Sequence, residues 1–314
     1  MQLAYGTYAG NNTTQSITGT GFTPTAVFVW ATSVDTANIV YKHSGIGSNS
    51  SAFTTTTAFI TNGITSLDSG GFTVGANDQV NNLGSNYAWV AIRGGAVTLD
   101  FAAGTYTGNG SDNTNISSIG FQPDIVVVQK DGGNAVAWTA SKGGDNTAYF
   151  HTTTGWQTDR IQGIHSDGFQ VGTHADVNTG STAYYYMCWK IRTGQVAEGT
   201  YTGDASGDNR NITQTDAFQP DHVMILDTSV PRVYYRPPSA VGDQTLVHGT
   251  AGYQANYIQG THASGFQVGT FLNGNTKVYY YWTIRNGGAD AAPYTDDMLP
   301  HPEYIVPPTY GRWI

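Results

Sequence analysis

"GFQPDIVVV" occupies residues 120–128, "AFQPDHVMI" residues 217–225, and a looser copy, "GFTPTAVFV", residues 21–29. The phrase reads as a β-strand with its lead-in. Pro123 stands where the strand starts, the place in a ladder at which a missing N–H does no harm. Ile125, Val126, Val127 and Val128 then run on without polar alternation, the pattern of a strand buried on both faces. Written three times in one chain, the phrase sets the period by which the rest is read.

Outward from it, the same landmarks recur in the same order. "GTYAG" at Gly6 and "GTYTG" at Gly104 and Gly199 open three units, each followed by a polar loop and one isoleucine: Ile17, Ile116, Ile212. After the proline phrase come "GGFTVG", "DGFQVG" and "SGFQVG", centred on Phe72, Phe169 and Phe266. These are too short for a helix, and their glycines permit turns. Each unit closes on an aromatic strand ending in Ile-Arg: "YAWVAIR", "YYYMCWKIR", "YYYWTIR". That ending makes Arg93, Arg192 and Arg285 equivalent. It puts Ile92, Ile191 and Ile284 on one face with Val90, Trp189 and Trp282, and Tyr87, Tyr186 and Tyr279 on the other. The reading is an all-β chain of three tandem β-sandwich repeats, at residues 1–97, 98–194 and 195–287, with an extended arm at 288–314. Each repeat should hold roughly seven or eight strands. At about 95 residues it is long enough to bury a core and fold alone.

Composition points the same way. Charged residues are 11% of the 314, Gly reaches 40, and Tyr, Val, Thr and Ile outnumber the helix formers, which favours strands and tight turns. A formal net charge of −9 without a Lys/Arg cluster repels phosphate backbones, so nucleic acid is excluded as a partner. The apolar runs are too short to span a bilayer, so no membrane insertion is expected. The single cysteine, Cys188, sits inside "YYYMCWKI" and reads as a small buried hydrophobe. The opening "MQLAYGTYAG" has neither the basic nor the apolar region of a secretory signal.

No nucleophile elbow, phosphate loop, HExxH or CxxC occurs. The histidines lie singly, and at the position of His165 and His262 the first unit has Asp68, which suits a surface turn better than zinc. Asp112 with Asn113, and Asp204 with Asp208 and Asn209, form acidic loops that read as solvated turns, with calcium as the alternative. With two glutamates, Glu198 and Glu303, and scattered aspartates, no carboxylate pair stands out for glycoside hydrolysis. The expectation is a non-enzyme without catalytic residue, cofactor or metal. Aromatic platforms for a glycan would be Trp138, Trp156, Tyr234 and Tyr235, in the variable middles of the units, though each also suits a core position. In the last stretch Pro293, Pro300, Pro302, Pro307 and Pro308 rule out a regular helix. Tyr294, Met298, Tyr304, Tyr310 and Trp313 supply apolar anchors there. Such an arm either docks on a partner or folds back over the third unit.

The motifs together resemble a repeat module of tail and fibre proteins of tailed bacteriophages. That module reads Gly-x-Tyr-x-Gly, Gly-Phe-Gln-Pro-Asp, Asp-Gly-Phe-x-Val-Gly, Asn-x-x-Gly and Tyr-x-x-x-x-Trp-Lys. The second unit matches best, through residues 120–128, 167–172, Asn178, Gly180 and 185–190. The third has Ala217 for the glycine and Thr283 for the lysine, and the first has Thr23 and Thr25 for Gln and Asp. The resemblance implies a non-enzymatic virion protein, made in the host cytoplasm, oligomeric on the particle and contacting other virion proteins through the arm. Its expected role is host surface attachment as a tail- or fibre-associated component, with a host glycan as ligand. The alternatives are a capsid decoration protein and a free lectin-like protein.

Overall fold

The computed structural model describes residues 1–32, 39–53, 58–94, 100–150, 155–227, 229, 232–247 and 253–286; the arm anchors Tyr294, Met298, Tyr304, Tyr310 and Trp313 lie outside them. The architecture is nearly all-β, with a single-turn helix at Asp78–Asn81 and a 3-10 turn at Thr270–Leu272 among the described residues.

One strand order is met three times. In the first unit β1 (Gln2–Ala9), β8 (Asn86–Arg93), β3 (Ala26–Ala31), β4 (Val40–His43) and β5 (Ser51–Ala52) form a five-stranded sheet in that order. Beside it, β2 (Gln15–Thr18), β7 (Gly71–Val74) and β6 (Ile64–Asp68) form a three-stranded sheet. The second unit repeats this with β9 (Phe101–Thr107), β16 (Ala183–Trp189), β11 (Ile125–Lys130), β12 (Val136–Thr139) and β13 (Ala148–Tyr149). Its small sheet is β10 (Thr114–Ile116), β15 (Gly168–Val171) and β14 (Ile161–His165). In the third, β17 (Val196–Thr202), β25 (Val278–Ile284), β19 (His222–Asp227), β20 (Arg232–Arg236), β21 (Thr245–Val247) and β22 (Tyr253–Gln254) form the large sheet. There the small sheet is β18 (Arg210–Thr213), β24 (Gly265–Val268) and β23 (Ile258–His262).

The landmarks are register partners. Ile17 pairs with Phe72, Ile116 with Phe169 and Ile212 with Phe266, all six buried. The glycine before each phenylalanine lets these strands close up, since a Cβ on Gly71, Gly168 or Gly265 would stand 1.9–2.1 Å from the isoleucine carbonyl oxygen. The same bulge follows in all three units, after Ile64, Ile161 and Ile258.

Each large sheet is buried on both faces, which is why its central strand carries an unbroken apolar run, residues 125–128 in the second unit. One face packs on the small sheet of its own unit: Val126 and Val128 join Ile116, Phe169 and Val171 there. The other face meets a centre shared by all three units, where Ile125 and Val127 join Trp30, Tyr41, Phe53, Trp189, Leu226, Tyr235 and Trp282. Contacts around this centre run in one sense. Phe59 lies 4.8 Å from the Tyr185 ring and Trp156 lies 4.9 Å from that of Tyr280, while Tyr253 accepts the Trp30 Nε1 hydrogen at 3.0 Å. Phe59, Trp156 and Tyr253 are equivalent, each just preceding the residue paired with Ser50, Thr147 or Thr245. A second set agrees: Tyr41 donates to Gln129 Oε1 at 2.6 Å, and the Tyr235 ring packs edge-on against Trp30 at 5.6 Å. First unit thus meets second, second meets third, and third meets first.

The closing strands need one correction. Trp189 pairs with Phe101 as Ile92 pairs with Leu3 and Ile284 with Val196, so Trp189, Ile92 and Ile284 are equivalent. Lys190, not Arg192, therefore stands at the position of Arg93 and Arg285, and the equivalent of Tyr87 and Tyr279 is Tyr184, not Tyr186. Ile191 lies beyond the strand and is 39% exposed, while Arg192 turns back to Asp100 at 3.2 Å. The shared ending concealed two extra residues in the second unit.

Candidate functional site

The residues that repeat serve the frame. In the opening Gly-x-Tyr-x-Gly the first glycine lies under an aromatic ring of the closing strand, since a Cβ on Gly104 would meet the Tyr186 side chain and one on Gly199 that of Tyr281. Tyr8, Tyr106 and Tyr201 stack on Tyr87, Tyr184 and Tyr279 at 5.0–5.2 Å. Their hydroxyls donate to the carbonyls of Val80, Val177 and Leu272. The asparagine that precedes the turn glycine of each unit, Asn81, Asn178 or Asn273, is a buried staple. Asn178 accepts the Asn109 N–H at 2.9 Å and donates to Ser111 O at 2.7 Å and Gly172 O at 2.9 Å, and Asn81 makes the corresponding bonds in the first unit. The second unit adds Asp167, where the others have Gly70 and Ser264, and it accepts the N–H groups of Ser118 and Gly120 at 2.9 and 2.7 Å. Those two bonds hold its carboxyl below the usual range, that of Gly120 foremost.

The sequence-derived platform residues occupy structural positions. Trp138 is 3% exposed and its Nε1 donates to Gly144 O at 2.8 Å. At the same register position, Lys42 donates to the Asn49 carbonyl at 2.8 Å and Arg236 to that of Gln244 at 2.9 Å, so all three side chains tie down the loop after their strand. Tyr234 and Tyr235 are buried, Tyr235 in the shared centre and Tyr234 in the core of the third unit. Trp156 is half-buried at the junction of second and third units, with the Lys142 ammonium 5.4 Å above its ring. The rings of Trp138, Tyr234 and Tyr235 are thus enclosed inside strands, where they offer no open face to a ligand.

The titratable groups are absorbed as well. His43 and His222 are buried, and burial pushes both imidazoles down to about 3. His222 meets the Tyr235 hydroxyl at 2.8 Å beside an apolar cavity of about 50 Å³ in the shared centre. Burial raises the Glu198 carboxyl, which Ser141 hydrogen-bonds. In the acidic loops, Asp112 accepts from Gln162 at 2.8 Å, and Asp204 accepts from Ser206 N–H at 2.8 Å and Asn273 at 3.0 Å. Among the described residues no three His, Cys, Asp or Glu side chains converge as a metal site would need.

An exposed aromatic feature does occur, on the outer side of the third unit. Tyr234, Tyr257 and Phe271 stack in a ladder, at 5.0 Å and 23° for the first step and 4.8 Å and 24° for the second. The ladder starts in the core and ends in solvent, with Phe271 58% exposed. Phe271 lies two residues before the staple Asn273, where the other units have Gln79 and Asp176. Nothing in the repeat motifs singles Phe271 out. The signal was there in the mismatch of one phenylalanine against two polar residues.

Residues 3–235 match the model of a family described as a domain of unknown function, DUF7483. The matched stretch runs through both joints between units and ends inside β20, in keeping with a core that no single unit completes. No curated protein matches the chain.

Proposed function

The chain belongs to the DUF7483 family, whose description assigns no activity, and we propose that it is a non-enzymatic structural protein of a phage virion, exposed on the particle and serving host surface attachment at the tail or fibre. In this reading each pair of sheets is one β-sandwich repeat. The observation that carries it is the division of labour along the chain. Residues shared by the units build the frame, as Tyr106 and Asn178 do, and one unit adds to it a solvent-facing aromatic ladder that ends on Phe271. A scaffold repeated for rigidity and varied at its surface suits display. The proline-rich arm, with Tyr294, Met298, Tyr304, Tyr310 and Trp313, docks the body onto a neighbouring virion protein.

Capsid decoration is the second reading, favoured by the closure of three similar units around one centre, a shape that mates with a local threefold of a shell. Immunogold labelling of intact particles separates the two. Label at the tail or its tip supports attachment, and label over the head supports decoration. Particles from a producing host that carry no label end the virion reading altogether.

A further inference from the structure

We infer that the aromatic ladder of the third unit is a glycan-binding site that takes the apolar face of a neutral pyranose on Phe271. The inference rests on the attachment reading and names its ligand class. An isolated surface phenylalanine is ordinary, because apolar atoms make up much of any protein surface. This one differs in being held. Its ring lies parallel to Tyr257, which lies parallel to the buried Tyr234, so the plane of Phe271 is set from the core outward. Its backbone N–H is fixed as well, donating to Asn256 O at 3.1 Å. With one face on Tyr257 and 58% of the residue exposed, the opposite face is presented to solvent. A rigid aromatic face loses little entropy when a flat apolar surface settles on it.

The polar surroundings choose the ligand. Asp243 accepts the Asn256 N–H at 2.9 Å and Gln259 Nε2 at 3.3 Å, which orients its carboxylate and leaves it capacity to accept from a further hydroxyl. Gln259 also donates to Asp208 Oδ1 at 2.7 Å, so two carboxylates flank this side of the unit. A stacking ring beside oriented acceptors is the arrangement that holds a sugar: C–H groups on the ring, hydroxyls on the carboxylate. The same carboxylates, in a chain of net charge −9, repel uronic, sialic and sulfated sugars, which leaves neutral pyranoses. Tyr257 and Phe271 lie beyond residues 3–235, outside the stretch the family model matches.

The test is binding of the full-length chain to an array of neutral and acidic bacterial polysaccharides, followed by titration of a bound oligosaccharide against protein with ¹³C-labelled phenylalanine rings. The expected result is binding confined to neutral glycans, with the Phe271 ring signals moving and Phe271→Ala weakening binding at least tenfold. Because Phe271 is exposed, that variant should keep the parent's melting temperature, and Asp243→Asn supplies a second, less drastic change that should weaken binding several-fold. Binding that survives both substitutions, or that favours acidic glycans, overturns the site and leaves attachment standing. Absence of binding to every glycan overturns the site too. The immunogold result then decides separately whether the attachment reading falls with it.

Discussion

At the scale of single residues, the chain places polar groups deep inside and leaves several with only one partner. His43 and His222 are the clearest cases. Both are buried, and both stay neutral because burial holds their imidazoles near 3 rather than the ordinary value of about 6.5. The unfolded chain takes up those two protons as pH drops below about 6.5, and the folded chain does not until near 3. The stability contributed by the neutral rings is therefore complete above pH 6.5 and declines as pH falls, by about 1.4 kcal/mol per unit for each ring. Denaturant unfolding at pH 7, 6 and 5 should show that loss before most carboxylates titrate. A flat profile over this interval, with histidine signals titrating near pH 6 by NMR, would refute it. Trp138 shows how far a residue's role can be read in advance. Tryptophan in the variable middle of a unit suits core more often than platform, and the pairing of Val126 with Trp138 shows its ring turned inward.

Strands were the most legible level, because their signals are local: alternation, glycines at turns, prolines at starts. The isoleucine and phenylalanine landmarks even proved to be register partners. What failed was counting. The Ile-Arg ending of the second closing strand invited an alignment two residues out of step, and only backbone pairing of Trp189 with Phe101 exposes it. Glycines of the small sheets make a sharper statement. Gly168 and Gly163 stand on neighbouring strands, yet a Cβ on Gly168 would lie 1.9 Å from Ile116 O, whereas one on Gly163 meets nothing within 4 Å. Gly168→Ala should force the β10–β15 pair apart and cost several kcal/mol, in the range of severe backbone conflicts. Gly163→Ala should stay within about 1 kcal/mol of the parent. Equal melting temperatures for the two variants would sink the packing argument for the Gly-Phe motif.

For the whole molecule, sequence reading foresaw repeats able to fold alone, and the shared centre argues otherwise. The signal lay in the unbroken apolar run 125–128, but a strand buried on both faces does not say what buries the second face. Here it is the other units, through Phe150 against Trp282 and Tyr235 against Trp30. Residues 98–194 expressed alone should expose Ile125, Val127, Met187 and Trp189 and give no cooperative unfolding transition, while the full chain unfolds in one. Circular dichroism melts of both proteins check this. A sharp transition for the fragment would mean that the units are independent after all.

Closure of three unlike units in one chain has a genetic consequence. In a homotrimer every codon is expressed three times around the axis, so a substitution at a central position lands as a triplet and must suit all three places at once. Here the three equivalent central positions hold Trp30, Gln129 and Leu226, a combination no homotrimer could write. Each side of the body mutates on its own, and a change such as the one that put Phe271 opposite Gln79 and Asp176 is made once, on one side, while the other two sides keep their sequence.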